Sequence, residues 1–359
     1  MSSEHIDTSG NVLVIGSGLI GTSVALGLTA QGRKVFLSDI DPAALTSAVQ
    51  VSGAKPFKNE SISLVVVATP PAKVAVVMYQ AAIDHPDAVI TDVASVKVSI
   101  FNELNDLGTT AWDRIVGGHP MAGREVSGAV GAQGNLFLDR PWVLSTTPET
   151  SEAAIESVKE MVKALGAFPV ARTVEEHDQA VALISHTPQV VATVLAGELM
   201  DAESSQIELA GQGIRDTIRI AGSDAALWTE ILSENSDYVA TRITHVAESL
   251  LEFAAALNSG DRQAITDKLD RGSKGRDRLP GKHGATSQRT AVLAVRLDDK
   301  PGELARLFTV AAQAQVNLED VRIDHSLGHP TGLVELSVTP VAIPKLETAL
   351  VAANFLVIS

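Results

Sequence analysis

Short apolar runs recur through the first half of the chain: Val12 to Ile15, Val35 to Leu37, Leu64 to Ala68, Ala88 to Thr91, Arg114 to Gly117 and Pro141 to Ser145. Segments of helical length separate them, which predicts βαβ units and a mainly parallel sheet in an α/β fold. The texture changes at Thr173-Val-Glu-Glu176, which fits a capping box at a helix start. From there to about Arg271 the pattern is helical, with almost no strand signal. Within it Val239, Ile243, Val246, Leu250, Phe253 and Leu257 step by 4, 3, 4, 3 and 4, the spacing of a seam against another helix. An ordinary buried helix has the same spacing; the length of the segment, Asp224 to Leu257, favours a helical dimer core. Gly272 to Thr290 breaks the periodicity and reads as a solvated linker. After it come a strand at Ala291–Leu297, a helix at Pro301–Gln315, strands around Asn317–Asp324 and Gly332–Thr339, a helix near Ile343–Ala353 and a strand at Phe355–Ile358. That βαββαβ order is a small split-βαβ sandwich. The predicted organisation is a polar tail over 1–9 and domains over 10–172, 173–285 and 286–359.

Composition narrows the chemistry. The chain has 359 residues, 28 Lys plus Arg against 43 Asp plus Glu, and a formal charge of −15. Such a surface repels polyphosphate, so nucleic acid is not the expected partner. With no cysteine, disulfides, thiolate metal sites and thiol nucleophiles are excluded, and no metal site is expected. No apolar run reaches the roughly 18 to 20 residues of a membrane span, and Met1 to Gly10 is polar rather than signal-like, which predicts a cytoplasmic protein.

The first strand runs into Gly16-Ser17-Gly18-Leu19-Ile20-Gly21, directly ahead of a helix pattern. Glycines there allow a tight turn and close approach of a pyrophosphate to the helix N-terminus. Asp39, at the end of the next strand and 18 residues past Gly21, is placed to accept both ribose hydroxyls of NAD and to repel a 2′-phosphate. Thr69, ahead of Pro70 and Pro71, ends another strand at the sheet edge where such folds bind ligands. Asp92 to Lys97, with Ser95, and Gly117 to Gly123, with His119, follow strands on the same edge. A histidine so placed is a candidate proton acceptor, since imidazole is largely neutral at pH 7, although a loop histidine would look the same. In the helical region, His177 to Gln189, with Ser185 and His186, and Gly213 to Asp224 interrupt amphipathic patterns with polar side chains. Arg219 lies between Ile218 and Ile220 and is expected to face an apolar surface. Its partner there is either Asp216, three residues back, or a substrate carboxylate.

Taken in order, Gly16 to Gly21, Asp92 to Lys97, Gly118 to Gly123, Ser185 to Pro188, Asp216 to Trp228 and Leu279 to Gly284 resemble the prephenate/arogenate dehydrogenase family across nearly the whole chain. Asp298 to Leu304 and Val316-Asn317-Leu318 look like an ACT domain, a fold that commonly binds amino acids as regulators. The resemblance implies a Rossmann-like NAD domain, an all-α dimerisation domain and an ACT domain. It implies oxidative decarboxylation, with NAD taking the hydride, carbon dioxide leaving and the ring becoming aromatic. His119 would be the catalytic histidine, Ser95 a serine hydrogen-bonded in its cluster, and Arg219 the grip on the ring carboxylate. Ser185, Gln189 and Asp216 would complete the substrate site. Gly302, Glu303, Leu304 and Asn317 would face a tyrosine effector. Gln189 departs from the family, many of whose members carry a histidine there; a neutral amide cannot become cationic, which points to arogenate as the alternative substrate. Arg124 replaces a residue that is often small. Two competitors remain: another hydroxy-acid dehydrogenase, disfavoured because no lysine lies between Lys163 and Lys268 to move the proton, and a non-catalytic NAD and amino-acid sensor.

Overall fold

The computed structural model describes residues 10–123, 128–279, 291–298, 300–325 and 331–358. The expected polar tail, Arg124, the stretch 280–284 of the Leu279–Gly284 motif and the boundary near 285 lie outside these residues. Two compact units are present, residues 1–247 and 248–359.

The first unit is built on eight strands: β1 (Val12–Ile15), β2 (Val35–Ser38), β3 (Lys55–Pro56), β4 (Leu64–Val67), β5 (Val89–Asp92), β6 (Ile115–Pro120), β7 (Pro141–Ser145) and β8 (Phe168–Ala171). Their order is β3-β2-β1-β4-β5-β6-β7-β8, parallel except for the antiparallel β6–β7 pair. The inner strands are covered on both faces, which is why they read as unbroken apolar runs. Val12, Val14, Leu64 and Val66 pack on one face with Val24, Leu28, Val158 and Met161 from the helices Leu19–Ala30 and Glu152–Ala164. Leu13, Val65 and Val67 pack on the other with Val74, Met78, Ile100 and Leu104 from Pro71–Asp84 and Val98–Asp106.

The strand order reverses between β1 and β4, so the carboxyl ends of these two strands bound the crevice where open α/β sheets take ligands. The turn at residues 16–21 follows β1, Thr69 follows β4, the Ser95 loop follows β5, and His119 lies near the end of β6. The strand β6 runs further than the apolar pattern predicts. Gly118 and His119 pair with Leu144 and Val143 of β7, which places His119 on a strand and not on a following loop. Glycine permits this: a Cβ on Gly118 would lie 2.3 Å from the Asp92 carbonyl oxygen.

Thr173 starts a helix through the expected capping box, its hydroxyl accepting from the Glu176 N–H and the Glu176 carboxylate from the Thr173 N–H. This helix continues to Glu198 through a π turn at Ala182–His186. An 18-residue stretch of this 25-residue helix has mean hydropathy 1.4, enough by length and composition alone to cross a membrane. Its buried His177, Asp178, His186 and Gln189 nevertheless carry the hydrogen bonds described below. The predicted single helix from Asp224 to Leu257 is broken at Asn235 into Ala225–Glu234 and Ser236–Ser259.

In the second unit the helix Arg262–Arg276 runs through Gly272, where a linker was expected. Strands β9 (Ala291–Asp298), β10 (Asp320–His325), β11 (Thr331–Val338) and β12 (Leu356–Ile358) form an antiparallel sheet in the order β10-β11-β9-β12. The helices Glu303–Gln313 and Ile343–Ala352 pack on it through Leu307, Ala311, Leu346 and Leu350. This is the predicted βαββαβ arrangement.

Candidate active site

The glycine-rich turn is shaped by close contact. Gly16 adopts φ +108°, and a Cβ there would lie 2.4 Å from the Ala68 carbonyl oxygen. A Cβ on Gly21 would lie 2.1 Å from the Gly16 oxygen, so the helix carrying Leu19 and Ile20 can start only this close to the strand because both residues are glycine. Gly18 is different: nothing lies within 4 Å of the position its Cβ would take. The helix N-terminus behind it has no side-chain cap. Buried hydroxyls of Ser17 and Thr69 have no hydrogen-bond partner among the described residues. An open glycine, uncapped amides and orphan hydroxyls at one switch point fit a pyrophosphate and its riboses. Asp39 meets the turn from β2, one carboxylate oxygen accepting from the Ser17 N–H at 2.6 Å and the other from the Asp41 N–H at 2.8 Å.

Four elements converge on His119. Its Nδ1 lies 2.7 Å from Nε2 of His177, with the rings edge to face. Nδ1 of His177 lies 2.6 Å from Oδ1 of Asp178. The Asp178 carboxylate also accepts from the backbone N–H groups of Lys97 at 2.9 Å and Val98 at 2.8 Å, which ties the helix at residues 174–181 to the loop that carries Ser95. That loop is held from the other side by a fully buried ion pair, Lys97 Nζ to Asp92 Oδ2 at 2.6 Å. Lys97 spends its other two donors on the Ala94 and Val96 carbonyls, the residues either side of Ser95. Asp92 accepts in addition from the Ala94 and Gly118 N–H groups. Every charged group is thereby satisfied, the condition on which a buried pair is tolerated. Burial, then the neighbouring His177 and Lys97, hold the His119 imidazole well below its ordinary pKa. Burial also lowers His177 against the opposing pull of Asp178. Both are therefore neutral at pH 7, the state a proton acceptor needs.

Further along the same helix, His186 is lowered to about 4, chiefly by burial. Its Nδ1 meets Asn235 Nδ2 at 3.1 Å, and the same amide donates to the Asp178 carbonyl at 3.0 Å. The helix break at Asn235 thus supplies a support for the site. Gln189 is buried and donates to the Ile220 carbonyl at 3.0 Å, fixing the turn that contains Arg219 against this helix.

The sequence-derived candidates separate accordingly. Gly16, Gly18, Leu19, Ile20, Gly21, Asp39 and Thr69 gather at the switch point. His119 and Ser95 lie on neighbouring elements of the same sheet edge, but the hydrogen-bonding partner of His119 is His177, and Ser95 makes no side-chain hydrogen bond among the described residues. Ser185 is half-buried in the π turn. Arg219 is exposed in the single chain instead of facing an apolar surface, and Asp216 is exposed and accepts from Gln212 at 2.7 Å. In the second unit Gly302 precedes its helix at φ +93°, Glu303 pairs with Arg306 at 2.7 Å, Leu304 packs towards the core, and Asn317 donates to Glu319 at 2.8 Å. A depression of about 260 Å³ is lined by Arg296, Asp298, Glu303, Arg306 and Phe355, which includes only Glu303 of those four. Pattern reading marked the segment opening at His177 and Asp178 as a polar interruption but gave these two residues no role, and it missed Asn235. The adjacent His-Asp pair one turn past the capping box was the available signal.

Comparison with known proteins fits this geometry. Residues 24–171 match the family described as prephenate dehydrogenase, nucleotide-binding domain, and residues 173–271 match its dimerization domain. The chain is 37% identical over 340 residues to NovF of Streptomyces niveus, named a probable prephenate dehydrogenase, covering 91% of this chain and 94% of that one. It is 27% identical over 340 residues to the prephenate dehydrogenase of Bacillus subtilis, covering 91% of each. The structure of prephenate dehydrogenase from A. aeolicus in complex with hydroxyphenyl propionate and NAD+ aligns with a TM-score of 0.67 at 28% identity, over 74% of this chain and 96% of that chain. Synechocystis arogenate dehydrogenase aligns at 0.65 and 26% identity, over 75% and 99%. With its dinucleotide crevice, its neutral buried histidine on the same sheet edge and these relatives, the chain belongs to the prephenate dehydrogenase family of NAD-dependent oxidoreductases.

Proposed function

We propose that this enzyme converts prephenate to 4-hydroxyphenylpyruvate and carbon dioxide, a step of tyrosine biosynthesis. The observation that carries the reading is His119, buried, neutral and anchored through Nδ1, on the edge of the sheet that carries the dinucleotide crevice. The turn at residues 16–21, with Asp39 and Thr69, would hold NAD, which would supply the acceptor for the hydride leaving the ring carbinol carbon. His119 accepts the 4-hydroxyl proton through Nε2 as that carbon becomes a carbonyl. The bond to the ring carboxylate then breaks, its electron pair completes the aromatic ring, and the phenolate oxygen takes the proton back from His119. The imidazole is restored in each turnover, and aromatisation drives the release of carbon dioxide.

Arg219 orients the ring carboxylate. Gripping it harder in the ground state than in the transition state would slow its departure, so orientation is its proper task. Ser95, Ser185 and Asp216 complete the polar lining around substrate. Gln189 supports a second reading, L-arogenate to L-tyrosine: its amide donates to the Ile220 carbonyl, and no cationic side chain stands at that position to prefer a keto acid.

The domains divide at 10–172, 173–285 and 286–359. The helical segment forms a homodimer: Val194, Leu250 and Leu257 are 62%, 63% and 57% exposed in the single chain, and the matched family model describes a dimerization domain. The C-terminal βαββαβ sheet is an ACT domain that takes tyrosine near Gly302, Glu303, Leu304 and Asn317. The enzyme works in the cytoplasm. NADH formation with prephenate and, separately, with L-arogenate tests the reaction, and added tyrosine tests the regulation. Turnover with one substrate assigns it, and silence with both in protein that binds NAD refutes the reading.

A further inference from the structure

We propose that Asp178 and His177 are positioning residues that fix His119 as the Nδ1–H tautomer and share the positive charge it acquires. The proposal rests on the assignment of His119 as proton acceptor and concerns the groups behind it.

The direction of the hydrogen-bond chain follows from what each group is able to donate. The two backbone N–H groups on Asp178, from Lys97 and Val98, can only donate, so the carboxylate is held as an acceptor on both oxygens. His177 Nδ1, 2.6 Å from Oδ1, must then carry a hydrogen. In the neutral ring this leaves His177 Nε2 as the acceptor, so across the 2.7 Å contact it is His119 Nδ1 that donates. His119 Nε2 is left with the lone pair. The backbone of the Ser95 loop thereby dictates, three groups away, which nitrogen of His119 is basic. A third group that orients the base is a recurring arrangement where histidine works as a general base.

The same chain has a use after the proton arrives. The His119 imidazolium has its Nδ1 proton 2.7 Å from a second imidazole that is itself paired with a carboxylate, so charge moves towards Asp178 without a change in heavy-atom positions. The charged and titratable groups facing His177 are Asp178 and His186 on its own helix, His119 on β6, Asp92 at the end of β5, and Lys97 on the loop after β5. The Lys97 charge is matched by Asp92, and His186 is held neutral by burial, so Asp178 provides the unmatched negative charge.

The first test needs no substrate. Long-range ¹H–¹⁵N correlation spectra of ¹⁵N-histidine-labelled protein at pH 7 should show His119 protonated at Nδ1 and bare at Nε2. The reverse pattern overturns the proposal whatever the substrate proves to be. The second test is kinetic. Asp178→Asn offers an NH₂ where a carboxylate oxygen stood, inviting the opposite tautomer through both rings, and should lower kcat by about 10² to 10⁴ with KM little changed. Because Asp178 also caps the loop, a second pair separates position from bulk. His177→Gln keeps an acceptor for His119 and a donor for Asp178 and should retain kcat within about tenfold, whereas His177→Leu should lose about 10² or more. Equal kcat in the Gln and Leu variants, both binding NAD normally, would reduce His177 to packing and overturn the proposal. Wild-type silence with prephenate and arogenate refutes the assigned reaction and leaves the spectroscopic test standing.

Discussion

Gly118→Ala tests the packing that places His119. The added Cβ would lie 2.3 Å from the Asp92 carbonyl oxygen, 2.9 Å from Thr91 Oγ1 and 3.0 Å from Trp142 Nε1. Thr91 and Asp92 belong to β5, whose residues are held in a ladder with β4, and Trp142 is fully buried. Neither can withdraw as the tip of a surface side chain would. The strand β6 must therefore move off β5 by several tenths of an ångström to about 1 Å, and the Gly118 N–H bond to Asp92 stretches with it. Overpacking of this kind costs about 1 to 3 kcal/mol. In a folding unit of this size that is a fall in Tm of about 2 to 12 °C, readable by calorimetry. The kinetic effect should be larger. His119, the proton acceptor proposed above, is the next residue, and a displacement near 1 Å of such a group costs roughly 10²-fold in kcat. Gly18→Ala is the matched control, since its Cβ meets nothing within 4 Å. It should leave Tm unchanged and weaken NAD binding, because the added methyl stands where the cofactor approaches. A Gly118→Ala enzyme with wild-type Tm and kcat would refute the link between the β5–β6 contact and the placement of His119.

Other perturbations read different parts of the site. His119→Asn should keep NAD affinity and lose about 10² to 10⁴ of kcat, as measured by NADH formation; near wild-type turnover would remove it from the proton step. Because burial lowers the His119 pKa, the base stays neutral well below pH 6.5, so kcat/KM should hold as pH falls past that value and drop only at lower pH. An acid limb at or above 6.5 would contradict the burial argument. Stability should move with pH in the opposite sense from a stabilised cation. Below about 6.5 the unfolded histidines bind protons that buried His119, His177 and His186 do not, so Tm should decline from that pH downward by differential scanning. Arg219→Gln should raise the prephenate KM with a smaller effect on kcat, and an unchanged KM would show that another cation holds the carboxylate.

The sheet was legible because its strands are buried on both faces, so Leu64 to Val67 appear as an uninterrupted apolar run bounded by turn residues. The strand β8 escaped because it is only half covered and carries Pro169, which leaves neither a continuous run nor a clean alternation. The Gly118-His119-Pro120 end of β6 escaped for the opposite reason: its residues are poor strand formers, and what recruits them is tertiary, the close fit against Asp92 and the ladder with β7. The glycine turn, Asp39 and His119 could be named because strand, turn and helix surround them in fixed order. His177 and Asp178 could not, because along one helix they are only polar interruptions. Their meaning comes from Lys97, Val98 and His119, which are distant in sequence. The break at Asn235 lies just ahead of the seam that begins at Val239, and the Asn235 side chain serves His186 and Asp178, partners that its own segment does not reveal.

Two carboxylates organise this edge of the sheet, and each does so through backbone amides. Asp92 receives the Gly118 N–H from the strand that presents His119, and Asp178 receives the Lys97 and Val98 N–H groups from the end of the loop that presents Ser95. Side-chain partners then divide between them: Lys97 neutralises Asp92, while Asp178 keeps its charge available to the histidine pair. Had Lys97 reached Asp178 instead, the His177–Asp178 bond would compete with a cation and the charge acquired by His119 would meet no counterion. A buried ion pair of this kind adds little net stability, since desolvation consumes most of the attraction. Its contribution is to assign two neighbouring acidic groups to different tasks, one holding the scaffold and the other facing the histidine pair.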